Sequence, residues 1–181
     1  MTLSSDIVKR EQNPISFNEI MKVLRGLVNP SFKELDSLPD DPAMNDIFEG
    51  KETCCLLCNL HNPDGSQSDT NHWICMIDKR DEGFVDYFDS LGNSPKQLTR
   101  HLNWSNSLVN FTKKYKLRYA SKKLQKYSGH VNTCGMHVCV RLLKKDMTPK
   151  AYNHWLTHAW IAPDIAVSML CYMDLLHGTK K

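Results

Sequence analysis

Behind Ser16-Phe17-Asn18-Glu19, the apolar residues Ile20, Val23, Leu24 and Leu27 recur at helical spacing. The Ser-x-x-Glu start has the form of a capping box, so a helix is predicted there, stopped by Asn29-Pro30. Leu38 to Gly50, rich in Pro, Asp and Asn, predicts a loop. Thr53 to Leu60 is a compact apolar run of strand length, and the polar stretch Asn62 to Asn71 predicts an exposed loop. Trp73 to Ile77 and Phe84 to Phe88 are apolar runs parted by charged residues and Gly83, the pattern of an antiparallel hairpin. A turn centred between Arg80 and Asp81 would set His72 directly opposite Asp89, with Cβ atoms about 4.5–5.5 Å apart.

Ser94-Pro95 leads into a predicted helix through Leu98 and Leu102, and Tyr115 to Leu124 reads as a basic strand. After Gly129, Met136, Cys139, Val140 and Leu143 mark a helix burying one face, with Cys134 at its N-terminus. Thr148-Pro149 opens another, with Tyr152, Trp155 and Leu156 inward, and Pro163 opens a last one ending near His177-Gly178. A mixed centre with helices at both ends predicts the α+β class. With no repeat, low-complexity tract or Gly/Ser linker, residues 1–181 form a single expected domain.

Composition changes this picture little. Hydrophobic residues make up 41% and charged residues 24%, and a net charge of +3 selects no class of partner. Seven cysteines, an odd number, behind an N-terminus without an apolar core argue against a secreted disulfide framework and for a reducing compartment. The longest apolar stretch, Ile165 to Met173, is far short of the ~18 residues of a membrane span, so no membrane association is expected.

Candidate chemistry centres on Cys134. A cysteine at a helix N-terminus feels the positive end of the helix dipole, which favours the nucleophilic thiolate. Its amide N–H has no helical partner and supplies half of an oxyanion hole, while Gly135 lets a substrate backbone come close. A Cys-Gly pair alone more often marks an inert core cysteine. Its companions change that. His72-Trp73, Tyr87-Phe88-Asp89-Ser90-Leu91-Gly92 and Thr133-Cys134-Gly135-Met136 resemble, in order and spacing, the His-Trp, Asp-Ser-Leu and Cys-Gly blocks of adenain-like and SUMO-deconjugating cysteine proteases (clan CE). Asn132-Thr133-Cys134-Gly135 with Arg141-Leu142 downstream is most similar to the maturation proteases of large DNA viruses, virophages and related mobile elements.

The resemblance implies a papain-like fold of the adenain and SUMO-protease type, a mixed central sheet flanked by helices. It implies Cys134 as nucleophile, His72 as general base and Asp89 as orienting acid, cutting peptide bonds through a thioester. Trp73 beside the histidine would border the substrate cleft, or serve as a plain core aromatic. The family glutamine that completes the oxyanion hole is missing six or seven residues before the cysteine, where Ser128 and Tyr127 stand. Gln125 is then the expected donor, with Asn132 the alternative, otherwise acting as helix cap. Expected substrates are capsid or other structural precursors cut next to Gly, in the virion and the host-cell cytoplasm at the virus factory. The alternatives are a ubiquitin-like-protein deconjugating protease and a non-catalytic nucleic-acid-binding scaffold.

No cofactor is required by this chemistry. The resemblance to adenain admits DNA or a peptide as activator, and the basic run Lys113, Lys114, Lys116, Arg118, Lys122, Lys123 and Lys126, with Tyr115 and Tyr119 interleaved, is the expected DNA contact. Cys54, Cys55 and Cys58 with His61 offer metal-type ligands but no second pair at finger spacing, so buried cysteines are expected. His154 and His158 lack the Glu of a zinc-protease helix, so no metal site is assigned. Asp86, an odd number of residues from Asp89, is expected on the other sheet face, in solvent.

Overall fold

Helix α1 (Phe17–Leu24) starts where the capping box places it: Ser16 Oγ accepts from the Glu19 N–H, and Glu19 Oε2 accepts from the Ser16 N–H at 3.0 Å. Its buried stripe is Ile20, Val23 and Leu24. The computed structural model describes residues 9, 11–61, 64, 66–101, 106–126 and 131–177. Of the segments read from the sequence, Asn62, Pro63, Gly65, Leu102, Tyr127, Ser128, Gly129 and Gly178 lie outside them.

The centre is a mixed five-stranded sheet in chain order: β1 (Ser31–Glu34), β2 (Thr53–His61), β3 (Gln67–Lys79), β4 (Phe84–Phe88) and β5 (Leu117–Arg118). The outer pairs β1–β2 and β4–β5 run parallel, and the inner ones antiparallel. Side-chain alternation divides the sheet into two cores. Cys55, Cys75, Ile77 and Phe88 face one side, covered by α1 and by the helices Cys134–Leu143 (α5), Pro149–Thr157 (α6) and Pro163–His177 (α7). Cys54, Cys58, Ile74, Met76 and Tyr87 face the other, covered by Met44–Phe48 (α2), Pro95–Leu98 (α3) and Ser107–Lys114 (α4). Helices on both faces of a mixed sheet make the class α+β.

The sequence expectations need correction at several points. Leu38 to Gly50 is not all loop, because α2 forms inside it. Its start is fixed by Asp46 Oδ2 accepting from the Ala43 N–H at 2.7 Å, a back-bond hidden in a Pro- and Asp-rich stretch. Asn62 to Asn71 is not all loop either, since β3 begins at Gln67 and pairs with His61. The expected strand Tyr115–Leu124 shrinks to Leu117–Arg118, paired on β4. Helix α4 was hidden by its weak apolar pattern, Leu108 and Phe111 being its buried apolar residues.

Two inward–outward assignments also change. Trp155 is 36% exposed, its ring tilted against Tyr152 at 5.8 Å with the Lys144 ammonium 5.5 Å away. Asp86 is not solvated but 1% exposed. Its two oxygens accept from Arg118 Nε at 2.6 Å and Arg141 Nη2 at 3.0 Å, and Arg141 is itself fully buried. Strand alternation puts Asp86 on the other face from Asp89 correctly; the error was to suppose that face open to water.

Candidate active site

The expected direct pairing of His72 with Asp89 is corrected by the hairpin register. Lys79 stands opposite Phe84 and Cys75 opposite Phe88, so the ladder, continued, would set Asp89 level with Ile74. The 3₁₀ turn Arg80–Glu82, closed by Gly83 at φ +85°, moves the centre of the turn. A shift of two residues keeps both side chains on one face, and a diagonal pair is within reach of long side chains. His72 Nε2 meets Asp89 Oδ1 at 2.8 Å in a buried site. The same Oδ1 accepts from the Leu91 N–H at 2.7 Å, which holds the carboxylate from the turn beyond β4.

Cys134 is 7% exposed at the N-terminus of α5. Its sulfur receives hydrogen bonds from the His72 side chain and the main-chain N–H groups of Trp73 and Gly135. With Nε2 on Asp89, the other ring nitrogen, Nδ1, is the one left to face the thiol. Burial works against both charges of a thiolate–imidazolium pair. The mutual hydrogen bonds outweigh it: the Cys134 pKa is lowered, and that of His72, held by Asp89 and Cys134, is raised to about 10. Both shifts favour the charged thiolate–imidazolium pair over the neutral one.

The remaining cysteines behave differently. Burial raises Cys54 to about 12 and pushes Cys55, Cys58 and Cys75 up as well. Cys139 is also raised, through its hydrogen bond with Cys171 and through burial. At pH 7 only about one Cys54 in 10⁵ would be thiolate. Iodoacetamide is accordingly expected to label Cys134 first, with a rate–pH midpoint below the free-cysteine value of about 8.5. His72→Ala should move that midpoint upward, because burial is then opposed only by the main-chain N–H groups of Trp73 and Gly135. Peptide mapping after short exposure checks this, and equal labelling of all cysteines would remove Cys134 from the role.

Gln125 is buried, and Ser90 ties it to the Asp89 turn. Ser90 Oγ donates to Gln125 Oε1 at 2.7 Å, while its carbonyl accepts from the N–H groups of Leu124 and Gln125, each at 2.9 Å. Gln125 Nε2 donates to Val131 O at 3.3 Å, so the amide nitrogen points at the segment leading to Cys134. Gly92 makes this approach feasible: at φ +76°, any Cβ there would lie 2.6 Å from Ser121 O. Asn132 is turned elsewhere, Nδ2 donating to Gln12 O at 2.8 Å, and it is not the helix cap. That position belongs to Thr133, whose hydroxyl bonds Asp164 instead of the first-turn amides.

A Cβ on Gly135 would lie 2.2 Å from Ile15 Cγ2 and 3.1 Å from Trp73 Cδ1. Its bareness is thus required by packing between the N-terminal segment, β3 and α5. Trp73, half-buried, makes an edge contact with Phe32 at 6.3 Å. Sequence reasoning gave no role to Ser90 and Thr133 beyond their place in the motif blocks and none to His137 and Asp164, because their contacts leave no local signal.

Cys55 faces one core and Cys54 and Cys58 the other, so the cysteine-rich strand divides its sulfurs between two sides. No group of three metal-ligating residues occurs among the described residues. His154 and His158 stack at 3.8 Å on the α6 surface. In the basic run, Lys114 pairs with Asp41 at 2.7 Å, Arg118 with Glu82 and Asp86, and Lys116 lies over the Phe84 ring. Among the described residues no helix is long and apolar enough to cross a membrane.

No protein-family model matches the chain. It is similar to the uncharacterized protein V9 of Sputnik virophage, with 25% identity over 142 residues, 70% of this chain and 77% of that protein. Among solved structures it is similar to the Chlamydia trachomatis effector protein ChlaDUB1, at 16% identity and a TM-score of 0.46, covering 98% of this chain and 73% of that one. A second ChlaDUB1 structure gives 15% identity and a TM-score of 0.39.

Proposed function

We propose that the protein is a cysteine endopeptidase of the adenain type that processes a virally encoded structural precursor. The observation that carries the reading is the buried chain of contacts from Cys134 through His72 to Asp89. The thiolate attacks the scissile carbonyl carbon, and the oxyanion that forms is held by the Cys134 main-chain N–H and the Gln125 amide. As the C–N bond breaks, imidazolium His72 gives its proton to the leaving amine and a thioester remains. Neutral His72 then takes a proton from water, whose oxygen attacks the thioester and regenerates the thiolate. The likeness to a virophage protein supports the viral setting.

Incubation with a co-encoded capsid precursor tests the substrate: cleavage next to Gly is expected. Processing only of ubiquitin-like conjugates would assign the same chemistry to a deconjugating protease. Gln125→Ala tests the oxyanion donor. Loss of one such donor costs about 2.7–4 kcal/mol in the transition state, so single-turnover cleavage should fall about 100- to 1000-fold. Alkylation of Cys134 should persist, since the thiolate depends on His72. A larger loss in Asn132→Ala than in Gln125→Ala would give the role to Asn132.

A further inference from the structure

Asp164, in the first turn of α7, is 3% exposed and receives hydrogen bonds from three separate places. Thr133 Oγ1 donates to Oδ1 at 2.5 Å, His137 Nε2 meets the same oxygen at 3.1 Å, and the Lys126 N–H donates to Oδ2 at 2.9 Å. Thr133 immediately precedes the nucleophile, His137 follows it by one turn of α5, and Lys126 immediately follows Gln125. Burial lowers the His137 pKa, which favours the neutral ring, and a proton on Nε2 makes that nitrogen the donor toward the carboxylate. All three partners of Asp164 thus flank the residues assigned to attack and to oxyanion binding, and none belongs to Asp164's own helix.

We propose that Asp164 is a positioning residue that holds the turn carrying Cys134 and the segment carrying Gln125 in register, so that both oxyanion donors converge on one point. The role rests on the proteolytic reading above. Gln125 is joined to the nucleophile side through Val131 O and to the Asp89 turn through Ser90, and the other α7 contacts with the start of α5 among the described residues are the sulfur contacts of Ser168 and Cys171 with Met136, at 3.4 and 3.7 Å. Without the carboxylate, the main chain at Thr133 and at Lys126 can drift apart while the His72–Asp89 contact and the thiolate remain. Asp164→Asn leaves shape nearly unchanged but replaces one acceptor oxygen by a donor, so it cannot serve all three partners.

The test uses a peptide aldehyde ending in glycinal, whose adduct with Cys134 places a tetrahedral oxygen where the oxyanion forms. Its affinity reads the donors, and the iodoacetamide rate–pH profile of Cys134 reads the thiolate. Asp164→Asn and Thr133→Val should each weaken the aldehyde about 10- to 100-fold, with the alkylation profile unmoved. Thr133→Ser, which keeps the hydroxyl, should restore binding to within about threefold of the parent. Should Asp164→Asn fail to fold, the Val and Ser variants at Thr133 decide. Unchanged aldehyde affinity in the variants, or alkylation falling in step with it, would sink the positioning role alone. A parent protein that is alkylated at Cys134 but binds no aldehyde would overturn the proteolytic reading, and this role with it.

Discussion

Cys134→Ala should abolish cleavage while leaving the molecule folded. Alanine is the best helix former and removes a single buried sulfur, so α5 and its packing survive. In nucleophile–histidine systems, loss of either member costs on the order of 10⁶ in turnover, and losing both costs little more. His72→Ala should therefore match Cys134→Ala, and the double variant should be no worse than either. Asp89→Asn acts differently. It keeps the geometry near His72 but reverses the partner the ring needs, an effect of about 10⁴-fold in a comparable triad. Single-turnover cleavage beside a thermal melt measures both. Cleavage by Cys134→Ala within about 100-fold of the parent would exclude Cys134 as nucleophile.

Much of the scaffold around this site could be read from local chemistry. The α1 capping box, the apolar stripe of α5 and the Pro at the start of α6 and α7 act within a few residues, and each element starts where those signals stand. The hairpin partners were legible because apolar runs and turn residues are local too. Their register was not, since it depends on the shape of the Arg80–Gly83 turn; the even shift preserved the face and therefore the His72–Asp89 contact. Contacts made through folding at long range left no trace: Ser90 on Gln125, Thr133 and His137 on Asp164, and Ile15 over Gly135. Asp86 failed for the same reason. A carboxylate in a strand reads as a solvent-facing residue until a helix arrives from elsewhere with its arginine.

That arginine makes Asp86→Ala the substitution expected to destabilise the fold most. Arg141 lies two turns beyond Cys134 on α5 and Asp86 three residues before Asp89, so their 3.0 Å contact joins the nucleophile's helix to the strand that leads to the triad carboxylate. Arg141 also donates to Lys144 O at 2.8 Å and Met147 O at 3.0 Å, and its guanidinium lies 5.4 Å from the Tyr152 ring. Those partners would satisfy donors in Asp86→Ala without neutralising the charge. A buried ion left without its counterion costs about 3–5 kcal/mol, which for a chain this long lowers Tm by roughly 6–20 °C. Arg141→Met should be milder, because Asp86 keeps Arg118 at 2.6 Å near the surface and methionine refills part of the volume. Adding Arg141→Met to Asp86→Ala should then recover stability, since no buried charge is left uncompensated. Denaturant melts of the two single variants and the double variant measure the coupling. A loss below about 1 kcal/mol in Asp86→Ala, or a double variant weaker than both singles combined, would show that the pair does not hold α5 against β4.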